Sequence, residues 1–253
     1  MTLARVSCAV VLALVACGKE RQTAADGAAE RPGVEPATLE GGAIVSGTVT
    51  FSGTPPANPP INMAEEPACM AQYDGTPRDP RVVVTDGRLA HVFVYVKDGL
   101  SAAATYQVPA TPAVIDQRGC LYHPRVLGLV AGQRLEIRNS DSLLHNIKAV
   151  PARNRGFNVS QPAAGMTTER SFSQPEVMIP LECNVHGWMQ ARVGVLPHPF
   201  FAVTGADGGF RIAHLPPGTY TIEAWHETLG TRTATVTVAD TAAALLDFTF
   251  AAK

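Results

Sequence analysis

The sequence predicts an all-β protein built as two β-sandwiches. Apolar residues recur with a period of two along most of the chain, and glycine-containing turn pairs punctuate these runs. Only the segment 63–73 has helical patterning, and it is short.

In chain order the period-two runs are 44–51, 89–96, 134–139, 177–181, 192–196, 220–224 and 231–238. The second run places Val92, Val94 and Val96 on one face and His91, Phe93 and Tyr95 on the other. Asp86-Gly87, Asp98-Gly99, Ala131-Gly132, Asp207-Gly208 and Pro216-Pro217-Gly218 supply the turns.

Less of the N-terminus is expected to fold. One positive charge at Arg5 precedes an apolar run over 6–15, too short for a transmembrane helix and laid out like a secretory signal. It ends in Leu14-Val15-Ala16-Cys17, which resembles the lipobox of bacterial lipoproteins. The resemblance implies a signal over 1–17 and a lipid on Cys17. An ordinary signal peptide with an unmodified Cys17 is the alternative. Residues 18–42 hold little to bury and are expected to be a disordered tether, reaching roughly 25–30 Å.

The about 210 residues that follow suit one large or two small domains. The net charge is −2 and no basic patch interleaves with aromatics, so nucleic acid is not an expected partner. No later apolar stretch approaches 18 residues, which leaves the lipid as the expected membrane contact.

Two clusters carry the chemistry. One is Asn139-Ser-Asp-Ser-Leu-Leu-His145-Asn146, directly after a predicted strand; the other is Cys183-Asn-Val-His186-Gly-Trp-Met189, directly after another. A copper ion that alternates between Cu(II) and Cu(I) needs ligands acceptable to both states. Two imidazoles and a thiolate with a weak axial thioether meet that need. The Cys-x-x-His-x-x-Met spacing lets one tight loop present three such donors, with the fourth from a neighbouring loop.

The arrangement resembles the cupredoxins, amicyanin-like ones in particular, over residues 114–196. There an Asn-x5-His-Asn segment precedes a Cys-x2-His-x2-Met loop. The resemblance implies one type 1 copper ion held by His145, Cys183, His186 and Met189. Asn146 would tune the sulfur through its N–H and pin the ligand loops through its side chain. It also implies that His145 lies deep in the sheet, that His186 lies nearer the surface as an electron path, and that Met189 sets the potential. Gly187 departs from the proline frequent in such loops, which implies a less rigid loop. Trp188 is open to two readings, a docking face or half-buried packing.

Farther on, Thr204-Gly-Ala-Asp-Gly-Gly-Phe210 and Leu215-Pro-Pro-Gly-Thr-Tyr220 resemble the carboxypeptidase-regulatory-like (transthyretin-like) β-sandwich. Its opening Gly-x-Val strand has a counterpart only far upstream, in Gly47-Thr-Val49. The resemblance implies a discontinuous sandwich of 43–104 and 198–253 with a cupredoxin-like Greek-key domain, 105–197, inserted. Two consecutive domains are the simpler alternative.

Five cysteines are present, and Cys8 leaves with the signal. If Cys17 carries lipid, a Cys69–Cys120 disulfide leaves Cys183 free as a thiolate. Such a bridge closes a loop of about 50 residues and stabilises by roughly 4 kcal/mol in the chain-entropy model. Pairing of Cys120 with Cys183 would destroy the site. A third possibility keeps Cys69 and Cys120 reduced, to bind a second metal with His123, Met63 or Met70. His91 and His214 read as surface or edge residues. His198 and His226 read as structural hydrogen-bonding groups, a minor metal site being the alternative.

Enzymatic signatures are missing. There is no Gly-x-Ser-x-Gly elbow, His226-Glu227 lacks the second histidine of a zinc protease, and no His-x-His pairs exist for an oxygen-reducing copper cluster. The expectation is a non-enzymatic, envelope-anchored one-electron carrier with a redox partner protein in the cell envelope or periplasm. Copper delivery or buffering, and a metal-free structural or glycan-binding envelope module, are the alternatives.

Overall fold

The computed structural model describes Leu39 and residues 41–252. Cys8, Cys17 and nearly all of the segment 18–42 lie outside the described residues. The chain is all-β, and its one α-helix among the described residues is Pro67–Met70. That helix is far too short to cross a membrane, and no other described helix does so.

Four sheets form two sandwiches. In the first sandwich, one sheet runs Gly209–Leu215, Ala43–Ser52, Arg88–Leu89, Val84–Thr85, with Ala243–Leu245 and Phe248–Ala251 pairing parallel to Ala43–Ser52. Its second sheet runs Phe201–Val203, Phe93–Asp98, Gly218–His226, Gly230–Val238. Every strand of the second sandwich falls between these in sequence. One sheet is Phe157–Gln161, His145–Ala149, Glu176–Glu182, Gln190–Leu196, Val126–Val130; the other is Thr167–Ser171, Arg134–Asn139, Ala113–Arg118, Leu121–His123. Ile61, Met63 and Cys69, which the sequence reading grouped with the flanking strands, pack instead into the core of this second sandwich.

The run 89–96 is broken in two. Arg88–Leu89 pairs with Ala43–Ser52, and Phe93–Asp98 joins the opposite sheet. Thr204 holds the crossing: its Oγ1 donates to Leu89 O at 2.8 Å and accepts from the Val92 N–H at 3.0 Å. His91 lies within this crossing, half-buried with a φ of 62°, rather than on a plain strand edge. Burial and the neighbouring Arg125 charge lower its pKa.

The two faces of Phe93–Asp98 serve two cores. Val92, Val94 and Val96 point into the first sandwich, whereas Phe93 and Tyr95 meet Val126, Met178 and Leu196 of the second. Both faces are apolar because both are covered. Phe93 sits on Gly128 and Gly194, which face each other on adjacent strands. A Cβ on Gly194 would lie 2.7 Å from the Phe93 ring, so only glycine admits this approach.

Charges reinforce the joint. Arg125 of the second sandwich donates from Nε to Glu227 Oε2 at 2.7 Å and from Nη2 to Glu227 Oε1 at 3.1 Å, while its Nη1 lies 3.1 Å from Asp79 Oδ1. The Arg125 side chain is only 4% exposed.

His198 and His226 are buried and bonded separately to backbone. His198 meets Val96 O at 3.0 Å and accepts from the Phe200 N–H; His226 Nδ1 accepts from the Thr228 and Leu229 N–H groups. Neither belongs to a metal-capable group among the described residues. Burial pushes each pKa down to about 4. The unfolded chain takes up these protons near pH 6.5 and the folded chain only near 4, so stability falls as pH drops through that window. The full loss, reached below the folded value, is roughly 3 kcal/mol per histidine. Urea midpoints between pH 7 and 4 should therefore decline, with a shallower slope in His198→Gln. Midpoints independent of pH across that window would contradict this account.

Candidate metal centre

The second sandwich ends in two loops that converge. Asn139 shapes the first: its Nδ2 donates to Leu143 O and Gln161 O, both at 2.9 Å, and its Oδ1 accepts from the Asp141 N–H at 3.0 Å. This asparagine turn delivers Asp141 and then His145, the first residue of strand His145–Ala149. The second loop closes on itself between Glu176–Glu182 and Gln190–Leu196. Cys183 N donates to Met189 O at 3.2 Å, Met189 N to His186 O at 2.9 Å, and His186 N to Cys183 Sγ at 3.4 Å. Asn146 joins the loops: its Oδ1 accepts from the Asn184 N–H at 2.9 Å, and its Nδ2 donates to Val159 O at 3.1 Å.

These loops bring together His145, Cys183 and His186, one donor atom from each lying within 4.8 Å of the others. The Nδ1 atoms of the two histidines are 3.0 Å apart, and Cys183 Sγ is 4.0 Å from His186 Nδ1. Metal–imidazole bonds of about 2.0 Å and metal–thiolate bonds of about 2.3 Å span both separations from one point. Met189 is fully buried at the end of the same turn.

The chemistry of the donor set fits a metal. His145 Nε2 lies 2.8 Å from Asp141 Oδ2, so the ring proton belongs there and Nδ1 carries the lone pair. Burial alone would raise the Cys183 thiol. The His186 side chain and amide, with the Asn146 and Val185 amides, more than offset it and leave the thiol below its usual pKa. Cys183 is the free cysteine among the described residues; Cys69 and Cys120 form a disulfide.

His186 lies only marginally nearer the surface than His145, and both are buried. It is 2% exposed, against 0% for His145. The 61–73 segment covers it: Cys69 Sγ is 3.9 Å and Glu66 Oε1 3.8 Å from His186 Nε2. Trp188 is half-buried, donating from Nε1 to Cys120 O at 3.0 Å with its ring 5.1 Å from the His186 ring. Gly187 faces open space. His123, exposed and near Arg118 O, stands outside the centre, and Met63 is a core residue.

Asp141 is the residue the sequence reading passed over. Besides His145, its carboxylate accepts from the Gly119 N–H at 2.9 Å and the Cys120 N–H at 2.8 Å. Burial opposes its ionisation, but these amides and His145 together lower its pKa. The available signal was its place four residues before His145 in a turn-forming sequence. Tyr122, buried beside Cys183, was also missed; burial and the sulfur raise its pKa far above the usual range.

The molecule is thus an all-β, two-sandwich protein with a buried His/Cys group able to hold a metal. Residues 190–251 match the carboxypeptidase regulatory-like domain family, a span that starts within strand Gln190–Leu196 of the second sandwich. No curated protein matches the chain. Among solved structures, similarity extends to a Cu-containing nitrite reductase from Thermus scotoductus SA-01 at 19% identity and TM-score 0.33, covering 40% of this chain and 26% of that one. A purple cupredoxin from Nitrosopumilus maritimus aligns at 23% identity and TM-score 0.29 over 33% of this chain and 99% of its own. A mutant amicyanin in its Cu(I) form aligns at 17% identity and TM-score 0.31 over 41% of this chain and 98% of its own. This chain spans about a quarter of the nitrite reductase.

Proposed function

We propose that this chain is a mononuclear copper protein of the cell envelope that passes single electrons, anchored through lipid on Cys17. The observation that carries the reading is the pair of buried Nδ1 atoms 3.0 Å apart beside the free Cys183 thiol. His145, Cys183 and His186 would hold copper, with Met189 as the axial neighbour. Copper bound there supplies a centre that takes up and releases one electron without making or breaking other bonds.

The chain's own contribution is rigidity. Asp141 fixes the tautomer and orientation of His145, and the Asn146 side chain ties the two ligand loops together. Cover over His186 favours retention of the metal over hand-off and supports a carrier over a delivery protein.

Copper titration of the full chain, read by visible absorption and EPR, tests the reading. One equivalent with an intense thiolate-to-copper band and narrow copper hyperfine splitting is expected. Copper bound without the band would turn the assignment to delivery or buffering. Absence of stoichiometric binding to folded protein would leave a structural or glycan-binding module.

A further inference from the structure

The imidazoles also present their other nitrogens to a second set of donors. Cys120, Asp141 and His145 form a buried group whose donor atoms lie within 4.8 Å of one another. His145 Nε2 and Asp141 Oδ2 are 2.8 Å apart. Cys69, bonded to Cys120, holds its sulfur 3.9 Å from His186 Nε2. Gln72 Nε2 lies 3.9 Å from Cys120 Sγ, placed to stabilise charge on that sulfur. A cleft of about 320 Å³ lined by Ala68, Gln72, Ser140, Asp141, Ser142 and Leu143 adjoins the group. The group is buried, with Asp141 at the wall of this cleft.

We propose that Cys69, Cys120, Asp141 and His145 Nε2 are a second metal site, closed while the disulfide is formed and opened by its reduction. Disulfide sulfur is a poor ligand; two thiolates, a carboxylate and an imidazole make a tetrahedral set suited to Zn²⁺ or a similar borderline cation. The reductant is a dithiol. Its two thiols become a disulfide as the Cys69–Cys120 bond breaks, and two electrons and two protons pass to the cysteines. Metal binding then releases those two protons.

Cadmium serves as the probe, because thiolate-to-cadmium charge transfer absorbs in the ultraviolet. All samples are the full chain with Cys8→Ser and Cys17→Ser, which removes unrelated thiols, and with Cys183→Ser, which disables the first site. After reduction with dithiothreitol and its anaerobic removal, the expected result is one equivalent of Cd²⁺ bound with the thiolate-to-cadmium band; the oxidised sample shows no such band. Adding Asp141→Asn weakens binding at least about tenfold. Cys69→Ser provides a second route: it frees Cys120 without reductant, and X-ray absorption should show one sulfur with nitrogen and oxygen donors around one bound cadmium. Absence of cadmium from both the reduced protein and the Cys69→Ser protein overturns the proposal. So does tight binding untouched by Asp141→Asn, which would be a bare dithiol. The copper reading is scored separately, by the visible band of oxidised protein with Cys183 intact, so either can fail alone.

Discussion

Serine in place of Cys183 should abolish the intense visible band of the copper-loaded protein while leaving the fold intact. The band requires a covalent copper–sulfur bond, and the other two cysteines among the described residues are joined to each other. A hydroxyl is close in size to a thiol, so packing around Val193, Met189 and Tyr122 changes little. Residual copper held by His145 and His186 should show wide hyperfine splitting, and affinity should fall by about two orders of magnitude or more, in line with loss of a direct ligand rather than of its support. The measurement is paired absorption and EPR at matched copper loading. Survival of the band would mean the disulfide had opened to supply sulfur, and the ligand assignment would be wrong.

The second large effect concerns the joint between the sandwiches. Arg125→Met should lower stability by about 3–5 kcal/mol, the range for stripping one partner from a buried ion pair. The methionine fills similar space but leaves Glu227 with only the Arg192 Nη2 at 3.9 Å, and Asp79 with only the half-exposed Arg81, as counter-charges for side chains that are each 11% exposed. For a chain of this size each kcal/mol lowers Tm by about 2–4 °C, so a drop of roughly 6–20 °C is expected by calorimetry. Arg125→Lys keeps the charge but loses the two-pronged contact with Glu227, and should fall between. An unchanged Tm in Arg125→Met would show that apolar packing alone holds the joint.

The loops that bring His145, Cys183 and His186 together were legible because their chemistry is local. Cys183, His186 and Met189 sit in seven consecutive residues, and His145 follows a strand whose alternation is clear. The all-β architecture was equally open, since strands such as Gly230–Val238 alternate visibly. What escaped was nonlocal. The Cys69–Cys120 pairing was among those the sequence offered, but nothing near Cys69 indicates that it lies against His186, 117 positions away. Asp141 looked like a turn residue, and its bond to His145 emerges only when the Gly119–Cys120 amides draw it inward. The break after Leu89 was hidden for a different reason. Burial on both sides makes the whole stretch apolar, and a strand that changes sheets then resembles one that does not.

Phe93 resting on Gly128 and Gly194 has a consequence for recognition. With one strand lining two cores, the sandwiches share a packed joint that holds the His145–Cys183–His186 group at a set bearing relative to the first sandwich. Any protein or surface that grips that sandwich fixes the compass direction in which the centre points. The first sandwich would then work as a handle that aims the group from a distance, without touching its donor atoms.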